Sequence, residues 1–296
     1  MFRLLRTAAL SLLVLLAVAP VAHAAQKNPT TKYFVALGDS YTVGYQDAVG
    51  HTTLDGPADQ LVPLARKRGY RFKLVNLGCG GATTDSMLTK AGCDPAALAP
   101  RAPGYGAKTQ TAAAVDFLER HKGKVGLVTI SISGNDVTPC IPAPDPITCT
   151  QTKMTTVRKN LGEIVKRLRA AGGKKMRIIG STYPDVVLGA WVRPIPFGDG
   201  RFTVAANSIA AFRDVLNPGL KKTYASVGGA FVDVTRATGA YGNFGTVSTA
   251  TYGRIPQPVA TVCRLTYFCT SLGIHMTTPG YHIIAELEAL KLPKVR

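Results

Sequence analysis

The sequence predicts an α/β protein: a central parallel sheet of about five strands with helices on both faces. Three observations carry that prediction. Short apolar, β-branched runs alternate with stretches of helical periodicity from Tyr33 to the C-terminus, the pattern of strand–helix–strand units. The strand runs are continuously apolar, as strands covered on both faces are. Several of them end in small polar residues, as in Gly38-Asp39-Ser40, Gly80-Gly81-Ala82 and Gly134-Asn135-Asp136. Open parallel sheets collect ligands just outside those carboxyl ends.

Taken in order, Tyr33 to Leu37 is the first strand and Phe72 to Leu77 the second. Thr83 or Thr84 then caps a short helix through Met87 and Leu88. Thr109 to His121 reads as a helix with Ala113, Val115, Phe117 and Leu118 in its apolar set, and Val125 to Ile132 as a central strand. Thr152 to Ala171 is the clearest helix: Met154, Val157, Leu161, Ile164, Val165 and Leu168 share one face, and Gly172-Gly173 stops it. Met176 to Ser181 is the next strand, Val204 to Ser226 a long helical region and Ala230 to Val234 the fifth strand. Few regular elements are expected between Thr235 and Ser271, where loop composition is pinned by two cysteines. A last helix runs from Pro279 to Leu290, with Pro279 in its first turn.

The first 24 residues are read as a secretory signal. Arg3 and Arg6 make a basic start, Ala8 to Val18 an apolar core, and Ala22-His23-Ala24 a small-residue cleavage pattern. That apolar run is short for a membrane span, and no later segment resembles one. Residues 25–296 lack a Pro/Gly/Ser-rich linker or repeat, so one domain and a secreted protein are expected. Removing Arg3 and Arg6 with the leader takes two from the net charge of +18, leaving +16. Six cysteines follow the leader: Cys79, Cys93, Cys140, Cys149, Cys263 and Cys269. In an exported chain they suggest three disulfides. Local pairing of neighbours is the simplest arrangement, because each bridge then pins one loop.

No Cys-x-x-Cys pair, histidine cluster or carboxylate pair suggests a metal, no phosphate loop is present, and no cofactor is expected. Nine Lys/Arg against Glu163 alone lie from Lys153 to Arg177. They read as a solvated helix face, with weak attraction to anionic lipid or envelope polymer as the alternative. An aromatic-basic stripe is missing, so no nucleic-acid partner is expected, and the chain is expected to be a monomer. Trp191, Phe197, Tyr241, Tyr252, Tyr267 and Phe268 lie in loop-like stretches and read either as pocket lining or as ordinary core.

With Gly273-Ile274-His275, the polar strand ends form a complete set for acyl transfer. Ser40 is the nucleophile and His275 the base that takes its proton. The main-chain N–H groups of Ser40 and Gly81 and the side-chain amide of Asn135 are donors for the oxyanion. Asp39 and Asp136 are read as hydrogen-bonding groups. His23 leaves with the leader, while His51, His121 and His282 are read as surface or core.

These four stretches resemble, in order, the four blocks of the SGNH branch of the GDSL hydrolases, and the resemblance runs from Gly38 to Tyr281. Tyr41 stands where that family often has its name-giving leucine. The resemblance implies a flavodoxin-like three-layer α/β/α fold and is nearest to secreted actinobacterial lipases and esterases, which similarly carry six cysteines as three disulfides. It implies a secreted serine esterase or lipase cleaving acyl esters of small molecules or lipids. The alternatives are a carbohydrate O-acetyl esterase and a secreted non-catalytic binding protein. The family commonly places an aspartate three residues before the histidine, and here that position is Leu272. Similarity to members that work as a Ser–His dyad implies that the main-chain carbonyl of Leu272 orients His275. Asp233 is the rival third member, its other reading being an aspartate that caps a turn after a strand.

Overall fold

The residues that read as strands form the sheet, whose three central strands are buried almost throughout while the two edge strands are partly exposed. In a computed structural model describing residues 30–195, 201–242 and 245–295, the side chains of 201 and 202 excepted, five parallel strands form the central sheet. They are β1 (Lys32–Gly38), β2 (Phe72–Asn76), β3 (Val125–Ser131), β4 (Arg177–Ser181) and β5 (Ala230–Val232). Their spatial order is β2-β1-β3-β4-β5, the flavodoxin-like winding. The strand order reverses between β1 and β3, and the register pairs Gly38 of β1 with Ser131 of β3. The leader expected over residues 1–24, and Phe197, lie outside the described residues.

Helices cover both faces. They are α1 (Pro57–Lys67), α2 (Gln110–Arg120), α3 (Pro146–Gly172), α4 (Asn217–Ala225) and α5 (Thr278–Leu290). Alternation along β1 sends Val35 and Leu37 to one face, where they meet Val128 and Ile130 of β3, Leu161 and Leu168 of α3, and Tyr224 of α4. Phe34 and Ala36 go to the other face with Leu127, Ile179, Leu61 of α1 and Ile284 of α5. Each such valine, leucine, isoleucine or phenylalanine, when fully buried, contributes about 1.5–3 kcal/mol. The result is the three-layer α/β/α architecture that the sequence reading anticipates.

Some elements differ from expectation. Helix α1 lies where the sequence pattern predicts no element, with Pro63 inside it, which obscures the helical signal. Helix α3 starts at Pro146 rather than Thr152, because the Asp145 side chain accepts the Thr148 N–H at 3.0 Å and Pro146 suits a first turn. The long region after Val204 is interrupted: an α-helix Arg201–Ala210, a π-helical turn Ala211–Leu216, then α4. The stretch after Thr235 is also more regular than expected. A hairpin of Thr246–Thr249 with Gly253–Pro256 and a helix Gln257–Leu265 enclose a small core of Leu188, Ile255, Val259 and Val262. Disulfides join Cys79 to Cys93, Cys140 to Cys149 and Cys263 to Cys269. Among the described residues no helix is long and apolar enough to cross a membrane.

Candidate active site

The chain leaves β1 through a position that only glycine can occupy. Gly38 has φ +131°, and a Cβ there would overlap the Ser131 carbonyl of β3. Buried Gln110 accepts the Gly38 N–H at 2.9 Å and donates to its carbonyl at 3.0 Å. The Asp39 N–H then donates to the Ser131 carbonyl at 3.0 Å, and Ser40 follows at the partly exposed rim. The buried Asp39 carboxyl accepts the Tyr41 N–H at 3.0 Å and the Tyr183 hydroxyl. Burial pushes that carboxyl up to about 7, against those two hydrogen bonds. The same Tyr183 oxygen accepts the Gly134 N–H at 3.1 Å. Asp39 therefore links the serine turn to the segment carrying Asn135.

The loops after β2 and β3 are locked together in the same way. Asn135 Nδ2 donates to the Ala82 carbonyl at 2.8 Å. The Asp136 carboxylate accepts the Thr84 N–H at 3.0 Å and the Thr84 hydroxyl at 2.6 Å. Burial raises the Asp136 carboxyl above its ordinary value, although the Thr84 bonds oppose it. Gly81 is exposed at the start of this locked segment. Among the described residues the main-chain N–H groups of Ser40 and Gly81 have no acceptor.

His275 reaches this rim from the far end of the chain. Its Nε2 lies 2.9 Å from Ser40 Oγ. Its Nδ1 lies 3.0 and 3.1 Å from the two oxygens of Asp47, and its main-chain N–H donates to Asp47 Oδ2 at 3.1 Å. This corrects the expectation for Leu272: the partner of Nδ1 is a carboxylate and not the Leu272 carbonyl. Leu272 is instead the left-handed residue, φ 61°, that ends the helical turn Phe268–Ser271. It redirects the chain so that Gly273 lies flat on Asp47, where an added Cβ would sit 2.5 Å from Asp47 Cγ. Partial burial pushes the Asp47 carboxyl upward, but the hydrogen bonds and charge of His275 outweigh it and hold the group below its ordinary value.

Asp233 is corrected as well. It caps the turn Val234–Ala237 by accepting the Arg236 N–H at 2.8 Å and also accepts from Asn217 Nδ2 at 2.9 Å. Asp47 itself carries no motif. It follows the two-residue strand Tyr45–Gln46 in a turn, and no spacing in the sequence points from it to His275.

Beside Ser40 lies a cavity of about 330 Å³ whose lining includes Asn135. Much of the rest is apolar, with Val137, Ile141, Val187, Val204 and Phe212 contributing. Part of its wall is the segment 138–146, which the Cys140–Cys149 disulfide ties to α3. Among the described aromatic residues that sequence offered as lining, none contributes. Trp191, Tyr241 and Tyr252 pack on the small core, Phe268 is buried, and the Tyr267 hydroxyl donates to Gln46 Oε1 at 2.8 Å. Among the described residues no group of three or more His, Cys, Asp or Glu could hold a metal ion.

The signature of the GDSL-like lipase/acylhydrolase family matches residues 36–283, and the chain belongs to that family. It is a carboxylic ester hydrolase on that membership. Among solved structures the chain is similar to an extracellular lipase from Streptomyces rimosus. The two share 19% identity over 88% of this chain and 98% of that one, with a TM-score of 0.50. A phospholipase A1 from Streptomyces albidoflavus NA297 is also similar, at 19% identity over 88% of this chain and 99% of that one, with a TM-score of 0.49. At such identity the lipase likeness speaks for the fold alone. No curated protein sequence matches the chain significantly.

Proposed function

We propose that the protein hydrolyses acyl-lipid esters through an acyl-enzyme formed on Ser40. His275 Nε2 takes the Ser40 proton as Oγ attacks the ester carbonyl carbon. The carbonyl oxygen, now an oxyanion, accepts hydrogen bonds from the N–H groups of Ser40 and Gly81 and from the amide of Asn135. The intermediate collapses, the imidazolium returns the proton to the departing alkoxide, and water repeats the cycle to release the acid. Asp47 stays ionised because its pKa is lowered. It holds the Nδ1 proton and stabilises the imidazolium.

The observation that carries this reading is the unbroken run of hydrogen bonds Ser40–His275–Asp47 beside an apolar cavity. Ser40→Ala should retain the wild-type melting temperature and lose at least about 10⁴-fold in kcat on p-nitrophenyl esters; retained activity would remove the assignment.

The apolar lining supports acyl chains longer than acetyl. Each added methylene that is buried should raise kcat/KM about fourfold, the equivalent of about 0.8 kcal/mol, until the cavity is full. An optimum at the acetyl ester would instead favour the carbohydrate O-acetyl esterase reading. The leader pattern of residues 1–24 and the three disulfides support export of a single domain over residues 25–296. The exposed lysines and arginines of α3 are read as a solvated face.

A further inference from the structure

Tyr41 follows the nucleophile directly and is almost completely buried, with 4% of its surface exposed. Its hydroxyl donates to the Ile274 carbonyl at 2.5 Å. That carbonyl belongs to the peptide group whose N–H, on His275, donates to Asp47 at 3.1 Å. One peptide plane is thus held at both ends, by Tyr41 at its oxygen and by Asp47 at its nitrogen. The imidazole is carried on the very next Cα.

The Tyr41 hydroxyl is itself held in place. Its ring meets Tyr183 edge-on at 4.8 Å between centroids and Tyr281 edge-on at 5.6 Å. Tyr183 is anchored to Asp39, and the Tyr281 hydroxyl donates to the Tyr45 carbonyl at 2.6 Å. Residues 272–275 carry no helix or strand, so these hydrogen bonds replace a regular element in setting where His275 points.

We infer that Tyr41 is a positioning residue, coupling the serine turn to the histidine loop and fixing the angle at which Nε2 meets Ser40 Oγ. The inference rests on the Ser40–His275 reading above. A leucine at this position would fill space but could not hold the carbonyl. Misplacing a reacting group by about 1 Å costs about 10²-fold in rate, so a partial loosening should be visible in turnover.

Tyr41→Phe keeps the ring and removes the donor. We expect kcat to fall at least about tenfold across the ester series, with KM within about twofold of wild type. The rate of organophosphate labelling of Ser40 should fall in step, and folding is checked by thermal melting. Because Tyr41 and Asp47 hold one peptide, the double variant with Asp47→Asn should lose less than the product of the single losses. Should Tyr41→Phe not fold, Tyr41→Leu is read by the same measurements. A kcat within twofold of wild type, a change confined to KM, or losses that multiply independently would overturn the inference. Ser40→Ala is the control: activity surviving in it removes the catalytic reading itself, whereas activity lost in it while Tyr41→Phe stays at wild-type turnover overturns the positioning role alone.

Discussion

The two flanks of the proposed active site are built by different means. On the proposed oxyanion flank, Ser40, Gly81 and Asn135 follow β1, β2 and β3, and side-chain bonds between neighbouring loops lock them there. On the histidine flank, His275 is placed by the long-range side-chain contacts of Asp47 and Tyr41, residues far away in sequence. The oxyanion flank starts from strand ends held in the sheet and is cross-linked by several side chains: Asn135 to the Ala82 carbonyl, Asp136 to Thr84, and Asp39 to Tyr183. The histidine flank depends on a few side chains, each of which can be removed singly. That difference teaches where the site is vulnerable.

Among variants that leave Ser40 in place, the largest expected effect comes from cutting the histidine flank at Asp47. Asp47→Asn removes the carboxylate with little change of shape, and kcat should fall by about 10²–10⁴-fold, since Asp-to-Asn in a related arrangement has cost about 10⁴. Asp233→Asn is the matched comparison and should leave turnover within about twofold, while loosening the turn Val234–Ala237 that Asp233 caps. Steady-state kinetics on both variants decides between the two aspartates. The reverse pattern of losses would hand the third position to Asp233.

On the oxyanion flank, Asn135→Ala should lower kcat by about 10²–10³-fold, the scale for one lost oxyanion donor. The loss should fall on kcat with KM nearly unchanged, because the donated bond strengthens as charge develops. A larger KM effect would mean that Asn135 binds the ester in its ground state.

A separate effect is on stability, and its sign separates the flanks. Asp39 is raised from 3.8 to about 7 by burial, so the folded protein keeps its proton where the unfolded chain releases it. Stability should therefore decline as pH rises from about 4 to about 7, by on the order of a few kcal/mol. Asp47 is shifted the other way. Its contribution is present above the unfolded value of 3.8 and is lost as pH falls through the lower folded value. Melting temperatures across pH 3 to 8 should show a flatter neutral limb for Asp39→Asn and a flatter acid limb for Asp47→Asn. Curves parallel to wild type would mean that neither carboxyl is coupled to folding in this way.

How much was legible follows the same division. Val35, Leu37, Val128 and Ile130 announce buried strands because β-branched and apolar runs have few other destinations. The apolar face of α3 repeats at helical spacing, so Leu161, Ile164 and Leu168 were visible as core. The hairpin and helix between residues 246 and 265 were not, because their small core forms only when Leu188 and Val259 arrive from separate segments. The π-helical turn Ala211–Leu216 also escaped, since nothing in its residues departs from an ordinary helix pattern.

By itself, the sequence determined the five strands, the helices α2, α3 and α5, and the order of the serine, glycine, asparagine and histidine stretches. These are local properties: a strand, a helix face or a polar strand end is decided by residues within a few positions of one another. The tertiary structure alone decided that Asp47, and not Leu272 or Asp233, faces His275, and that Tyr41 grips the peptide before it. Those contacts join residues more than 220 positions apart. Spacing along a chain carries no distance over such a span, so folding had to supply it.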